Sequence, residues 1–295
     1  MIWLIGNKGM LGNDVEELLK EQWFSYWSSD KEVDITDYKA LEKFGKDKKI
    51  EWVINCSGYT QVDQAEKEKG ESFRINQDGV RNIALFCKKR QISLIHISTD
   101  YVFDGKKDMN EYYSEEDTPS PLGVYGQSKL AGEEEIKKLL NTYFIIRTAW
   151  LYGKNGFNFV NTMLRLFKER DLIKVVDDQY GSPTYTKDLA ELILKIIKNE
   201  SNQYGIYHFT NEGVTTWYKF AKEIYRQAKK VGSIEMNREV RIIPIKTEEY
   251  PTAVVRPKNS ILAKEKTKKE FNIEIKSWNE ALVEFIDSLP DRILS

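Results

Sequence analysis

The chain opens on an apolar run, Met1 to Ile5, that stops at Gly6 and passes through Gly6-Asn7-Lys8-Gly9-Met10-Leu11-Gly12 into a helical pattern. Three glycines at three-residue spacing, set between a first strand and a first helix, constrain the fold more than any other feature. A backbone that turns sharply there and approaches a pyrophosphate needs residues without Cβ atoms. The helix that follows offers free N–H groups and the positive end of its dipole. A plain glycine turn with no ligand uses the same residues. The strand before it, the helix after it and its place at the head of the chain favour a bound dinucleotide.

The next residues extend that reading. Strand patterns are predicted at residues 2–5, 23–27, 52–56, 94–98 and 143–147, with helical patterns at 14–21, 78–89 and 128–140 between them. Short strands that are apolar throughout, separated by helices, predict βαβ units in a parallel sheet covered on both faces. After Trp150 the rhythm loosens: helices at 159–168, 189–198 and 216–229, a turn-rich 177–184, a strand at 205–209, three prolines (Pro244, Pro251, Pro257) and a charged helix at 277–289. The expected fold is α/β, a Rossmann-type doubly wound parallel sheet with a smaller interleaved C-terminal portion. Residues 1–150 would form the dinucleotide-binding domain. Residues 151–295 would be mainly the substrate-binding portion, with some segments returning to the first domain.

Composition narrows the partners. Forty-five basic against 46 acidic residues leave a net charge of −1, which gives no electrostatic footprint for nucleic acid. Two cysteines, Cys56 and Cys87, make neither a disulfide scaffold nor a zinc set and favour a reducing compartment. No run approaches the roughly 18 apolar residues of a membrane helix, and the N-terminus lacks a secretory pattern. A cytoplasmic location is expected, with a small-molecule substrate and no membrane. A homodimer is compatible with the sequence, which marks no interface.

The end of the second strand judges the adenosine ribose: an acid favours NADH, while small or basic residues admit the 2′-phosphate of NADPH. The chain reads Trp27-Ser28-Ser29-Asp30-Lys31 there. Ser28 or Ser29 falls where an acid would stand, which leans to NADPH and leaves NADH open.

Chemistry enters at Tyr125-Gly126-Gln127-Ser128-Lys129, where a spacing of four puts Tyr125 and Lys129 on one helix face. A lysine ammonium there lowers the phenol's pKa and can bind the nicotinamide ribose, so the tyrosine donates a proton to a carbonyl oxygen as hydride reaches its carbon. Tyr-x-x-x-Lys alone arises by chance in a chain with 16 tyrosines. Leu94-Ile95-His96-Ile97-Ser98-Thr99-Asp100 adds hydroxyls at the carboxyl end of a buried strand, the end that faces the ligand crevice in an open α/β sheet. Thr99 is then placed to bond the same carbonyl oxygen. Glycine turn, Thr99 and Tyr125/Lys129, in that order, describe carbonyl reduction.

At this point the sequence resembles the dTDP-4-dehydrorhamnose reductase family of the extended short-chain dehydrogenase/reductases, whose glycine spacing it shares. The carrying segments are NCSGYTQVDQAE (55–66), STDYVFDG (98–105), SPLGVYGQSKLAGE (120–133), RTAWLY (147–152), DQYGSPT (178–184) and RPKNSIL (256–262). The resemblance implies reduction of dTDP-4-dehydro-β-L-rhamnose to dTDP-L-rhamnose with NADPH or NADH, in polysaccharide biosynthesis. It makes Tyr125 the proton donor, Lys129 its partner and Thr99 the carbonyl-binding hydroxyl. Gly9, Met10 and Leu11 fall on the pyrophosphate within the turn Gly6 to Gly12. Ser29, Asp34 and Ile35 fall near the adenosine, and Gly58, Tyr59, Thr60 and Ile97 line the cofactor crevice. Asp100 and Trp150 meet the sugar, and Arg256 looks like a diphosphate ligand, with a helix-capping role or a structural ion pair as its rival readings. Some members of the family pair through a magnesium ion; no matching acidic set stands out here, and no metal is expected.

The rivals are related activities and bland roles. A dehydratase of this kind needs an Asp-Glu pair after the threonine, and Asp100 is followed by Tyr101. Another nucleotide-sugar 4-ketoreductase, an epimerase or a non-catalytic regulatory subunit of the same fold remain alternatives. His96 and His208 read as hydrogen-bonded core histidines, Tyr112, Tyr113 and the acids of 115–117 as a solvated loop, and the basic run 264–269 as an exposed helix face.

Overall fold

A computed structural model describes residues 1–234 and 239–289. Its centre is a six-stranded, all-parallel sheet. Five strands come from the first half: β1 (Ile2–Ile5), β2 (Tyr26–Ser29), β3 (Trp52–Asn55), β4 (Ser93–Thr99) and β5 (Tyr143–Thr148). The sixth, Gly205–His208, returns from the second half, and the order runs from it through β5, β4, β3 and β1 to β2.

β1 shows why the strands are apolar throughout. Ile2 and Leu4 pack into one core with Leu11, Val15 and Leu19 of helix α1 (Met10–Glu21) and with the helix Thr186–Lys198. Trp3 and Ile5 enter a core on the opposite face with the helices Val80–Arg90 and Val124–Leu139. A strand buried on both sides has no room for alternation. Because the chain leaves β1 toward β2 but places β3 on β1's other side, the crevice beyond the ends of β1 and β3 is the switch point where ligands of such sheets bind.

A further core lies in the second half. Helices Phe159–Glu169, Trp217–Lys230 and Trp278–Asp287 enclose Phe167, Phe220, Phe285 and their neighbours, edged by a parallel pair of strands, Leu172–Val176 and Arg241–Ile245. The short parallel pair Leu151–Tyr152 and Thr184–Tyr185 joins this part to the sheet.

Three expectations are corrected. The second strand is Tyr26–Ser29 rather than 23–27, because the turn that ends α1 runs on through Trp23. The Trp23 amide bonds Lys20 O, the Phe24 amide reaches back to Leu19 O, and Trp23 sits at φ 58° with its ring in solvent. The segment 112–117 is a solvated loop only at Tyr112 and Glu116, which are exposed. Tyr113 is buried and stacked on Phe103 at 4.4 Å, Glu115 accepts the His208 amide, and Asp117 pairs with Lys107 at 2.6 Å. Lys264 is buried as well, 3.5 Å from Glu212, so the run 264–269 begins inside the protein before its helix Glu265–Phe271.

Candidate active site

The glycine turn brings two strand ends together. Gly6 has φ 82°, and a Cβ on it would meet Ser57 N at 2.7 Å. A Cβ on Gly12 would meet Gly6 O at 2.0 Å, so α1 lies directly on the turn. Gly9 is the N-cap of α1 and supplies no side-chain cap, which leaves the amides of Met10 and Leu11 open for an anion. These features fit a dinucleotide pyrophosphate.

The adenosine side is mixed. Ser29 ends β2 fully buried, its hydroxyl accepting Trp3 Nε1–H at 2.9 Å and its carbonyl accepting the Gly6 amide at 2.7 Å. It shapes the turn, and its side chain has no freedom to meet a ribose. Ser28 donates to Glu16 Oε1 at 2.7 Å. Asp34 is exposed and held below the usual carboxylate range by the backbone and hydroxyl groups of Thr36, while Ile35 is buried against Gly79. Across the crevice Gly58 and Thr60 are exposed. Tyr59 is buried, with its amide on Asn76 Oδ1 at 2.9 Å and its hydroxyl on Glu68 at 2.8 Å.

β4 and the helix Val124–Leu139 set the groups expected to be catalytic. Gly126 lets this helix rest on β4's end, since a Cβ there would meet Tyr101 O at 2.1 Å. Thr99 lies near enough to the Tyr125 phenol to act on it, while its own hydroxyl donates to Asp100 Oδ1 at 3.0 Å. Burial raises the Tyr125 pKa above that of a free phenol, against the pull of Thr99. Lys129 is buried and donates to Ile97 O at 2.7 Å; desolvation lowers its pKa to about 8. The expected ammonium-lowered phenol is therefore absent from this arrangement: the ammonium is spent on a backbone carbonyl and the phenol is dominated by desolvation.

Beyond them lies the substrate side. Asp100 is buried; Oδ1 accepts the Thr99 hydroxyl at 3.0 Å and Oδ2 closes no hydrogen bond, Ser260 acting on the carboxyl only at longer range. Burial pushes its pKa up to about 7. Trp150 stacks on Trp217 at 3.6 Å with φ 50°, a left-handed backbone that costs a bulky residue energy and recurs at ligand sites. Gly181 leaves it space, a Cβ there lying 2.7 Å from the indole.

Arg256 is committed inside the protein: Nη1 donates to the Tyr101 hydroxyl at 2.9 Å and Nη2 bonds Asp63. The ion-pair reading of Arg256 holds in this arrangement. Tyr101 in turn sets its ring edge-on to Tyr125 at 5.5 Å. Tyr101, Asp63 and Trp217 were not singled out as site residues from sequence; Asp63 and Tyr101 do fall inside the segments that carry the resemblance. His96, assigned a core role, bonds Asn55 as a core histidine does and also faces Lys129 Nζ at 3.5 Å.

The family model described as the RmlD substrate binding domain matches residues 1–290. A dTDP-4-dehydrorhamnose reductase of Aggregatibacter actinomycetemcomitans is 39% identical over 285 residues, 95% of this chain and 96% of that one. The spore coat polysaccharide biosynthesis protein SpsK of Bacillus subtilis is 37% identical over 97% of this chain and 96% of its own. The crystal structure of the Bacillus anthracis dTDP-4-dehydrorhamnose reductase in complex with NADP superposes with a TM-score of 0.90 at 40% identity, covering 98% and 99% of the two chains. A Thermus thermophilus UDP-glucose 4-epimerase, 17% identical at a TM-score of 0.80, shares the fold. The chain belongs to the dTDP-4-dehydrorhamnose reductase family.

Proposed function

We propose that this chain is an NAD(P)H-dependent reductase that converts dTDP-4-dehydro-β-L-rhamnose to dTDP-L-rhamnose, with Tyr125 as proton donor. The observation that carries the reading is the gathering of Thr99, Asp100 and Tyr125 at the carboxyl end of β4, with Thr99 on Asp100 at 3.0 Å and the Tyr125 ring edge-on to Tyr101 at 5.5 Å, in a chain of this family. When bound, the reduced nicotinamide supplies the hydride to the sugar's ketone carbon. The chain's own residues supply the rest. Gly9, Met10 and Leu11 hold the pyrophosphate, with Gly6 and Gly12 allowing the approach. Gly58, Tyr59, Thr60 and the Ile97 backbone line the crevice, and Asp34 and Ile35 border the adenine.

Thr99 and Tyr125 hold the ketone oxygen between two hydroxyls, and Tyr125 transfers its proton to that oxygen as charge develops. A phenol raised by burial stays protonated at neutral pH, as a donor must. The unpartnered Oδ2 of Asp100 accepts a sugar hydroxyl, and Trp150 packs against the sugar ring. Arg256 meets the diphosphate if it leaves Asp63. Residues 1–150 form chiefly the cofactor half and those after 150 chiefly the substrate half, acting on a small molecule in the cytoplasm.

A panel of 4-keto nucleotide sugars tested with NADPH and NADH decides the reading. Nicotinamide absorbance should fall with dTDP-4-dehydrorhamnose and fall less with sugars of other configuration. No oxidation with any member of the panel would overturn it.

A further inference from the structure

Behind Lys129 lies a chain of buried polar groups that the reduction as described does not use. Asn55, the last residue of β3, is buried, and its Oδ1 accepts two bonds from Ser57, the backbone amide at 3.0 Å and the hydroxyl at 2.6 Å. An oxygen is required at that position, because a backbone N–H can only donate. The other end of the amide is therefore Nδ2, and it lies 3.0 Å from His96 Nδ1. A donor facing Nδ1 makes that nitrogen the acceptor. His96 is fully buried and held neutral by desolvation and by Lys129, so its one proton sits on Nε2. Nε2 faces Lys129 Nζ at 3.5 Å.

A ring N–H turned toward an ammonium sets two donors against each other. The same N–H turned toward a neutral amine makes a hydrogen bond. We propose that His96 is a positioning residue for the reduction: locked by Asn55 and Ser57 with Nε2–H toward Lys129, it favours the amine over the ammonium and makes Lys129 a ready proton donor. The proposal rests on the reductase reading in one respect, the use made of that proton. Once Tyr125 has given its proton to the substrate oxygen it is a phenolate and must be reprotonated. Lys129 gives up a proton on that path, the amine left behind accepts His96 Nε2–H, and water restores the ammonium. Protons balance, and no oxidant or reductant beyond the hydride donor is needed.

The other groups around Lys129 do not cancel the effect. Cys56, following β3, is a neutral thiol whose pKa burial pushes up to about 12. Glu133, one turn on along the same helix, favours the ammonium but is already shared by Arg147 at 2.7 Å and by the Ser98 hydroxyl. The Ile97 carbonyl accepts from either form. Burial alone brings the lysine to about 8, and the ring N–H facing Nζ at 3.5 Å acts in the same direction.

Two measurements test the proposal. The chain has two histidines, so long-range ¹H–¹⁵N correlation of histidine-labelled protein resolves both rings, and His96→Gln identifies the His96 signals by their loss. His96 should be the Nε2–H tautomer from pH 6 to 9; an Nδ1–H tautomer or a charged ring would overturn the proposal. This readout needs no substrate, and should His96→Gln fail to fold, the His208→Gln protein gives the same assignment by difference. In the second measurement, the alkaline limb of kcat for ketone reduction should lie near pH 8 in the wild type. In His96→Gln, whose amide oxygen can accept from Lys129, it should move up by about one unit, a tenfold shift in proton affinity. A limb that stays in place in a folded variant would overturn the proposal. Absence of all sugar reduction would instead overturn the functional reading, and the tautomer would still decide the role of His96.

Discussion

Burial does most of the work on the groups proposed to react. Tyr125 keeps its proton because its phenolate would be poorly solvated, the same loss of solvation disfavours the Lys129 ammonium and brings it to about 8, and Asp100 is raised to about 7 with Oδ2 unsatisfied. Tyr125→Phe removes the proton and little volume, so turnover should fall by roughly 10²–10⁴, the usual contribution of a general acid. NADPH affinity, followed by nicotinamide fluorescence, should change less than about threefold, which is under 1 kcal/mol. Turnover near wild type would show that another group protonates the substrate. Trp150 packs on Trp217 yet keeps an open side. Trp150→Ala should raise the sugar-nucleotide KM roughly 3- to 10-fold, in keeping with the ~0.5–1.5 kcal/mol of a ring contact. Equal losses in sugar and cofactor binding would make it a packing residue instead.

At the scale of elements, the first βαβ unit is the proposed cofactor site, and its close approaches leave no room for a methyl group. Gly12→Ala would drive a Cβ to within 2.0 Å of Gly6 O, so α1 must lift off the turn. We expect NADPH binding measured by calorimetry to fall at least tenfold, with the helical circular dichroism of the chain retained. Unchanged binding would remove the turn from the pyrophosphate site. This unit was legible because its signals are local: a four-residue apolar strand, glycines at fixed spacing and an amphipathic helix. The start of β2 was not, because Trp23 and Phe24 are apolar enough to read as strand while backbone bonds to Lys20 and Leu19 hold them in the turn that closes α1. The burial of Tyr113 and Lys264 was hidden for a different reason. Their partners, Leu262 and Glu212, lie distant in sequence, and no local pattern reports such a pairing. The same holds for the Asp63–Arg256 pair, whose members are 193 residues apart.

Across the whole molecule, contacts from the second half stabilise the first. Thr186 bonds the buried Asp14 of α1, and Asn155 bonds Asn13 at 2.7 Å, so the helix under the pyrophosphate is fastened by residues beyond 150. Between the helix Val124–Leu139 and β5, Glu133 and Arg147 form an ion pair with neither side chain more than 2% exposed. Removing one partner leaves the other charge buried, at a cost of roughly 3–5 kcal/mol. Glu133→Gln should therefore lower the urea midpoint of the chain; an unchanged midpoint would mean that Arg147 finds solvent or another acceptor.

The central claim is a hydride delivered to the ketone carbon of a dTDP-sugar with a proton from Tyr125. It is tested most directly by turning over dTDP-4-dehydrorhamnose with NADPH deuterated at the transferred position and weighing the product. The account predicts dTDP-rhamnose carrying one deuterium, bound to carbon 4, with one NADPH consumed per sugar. Product formed without the label, or sugar converted without loss of NADPH, would contradict it.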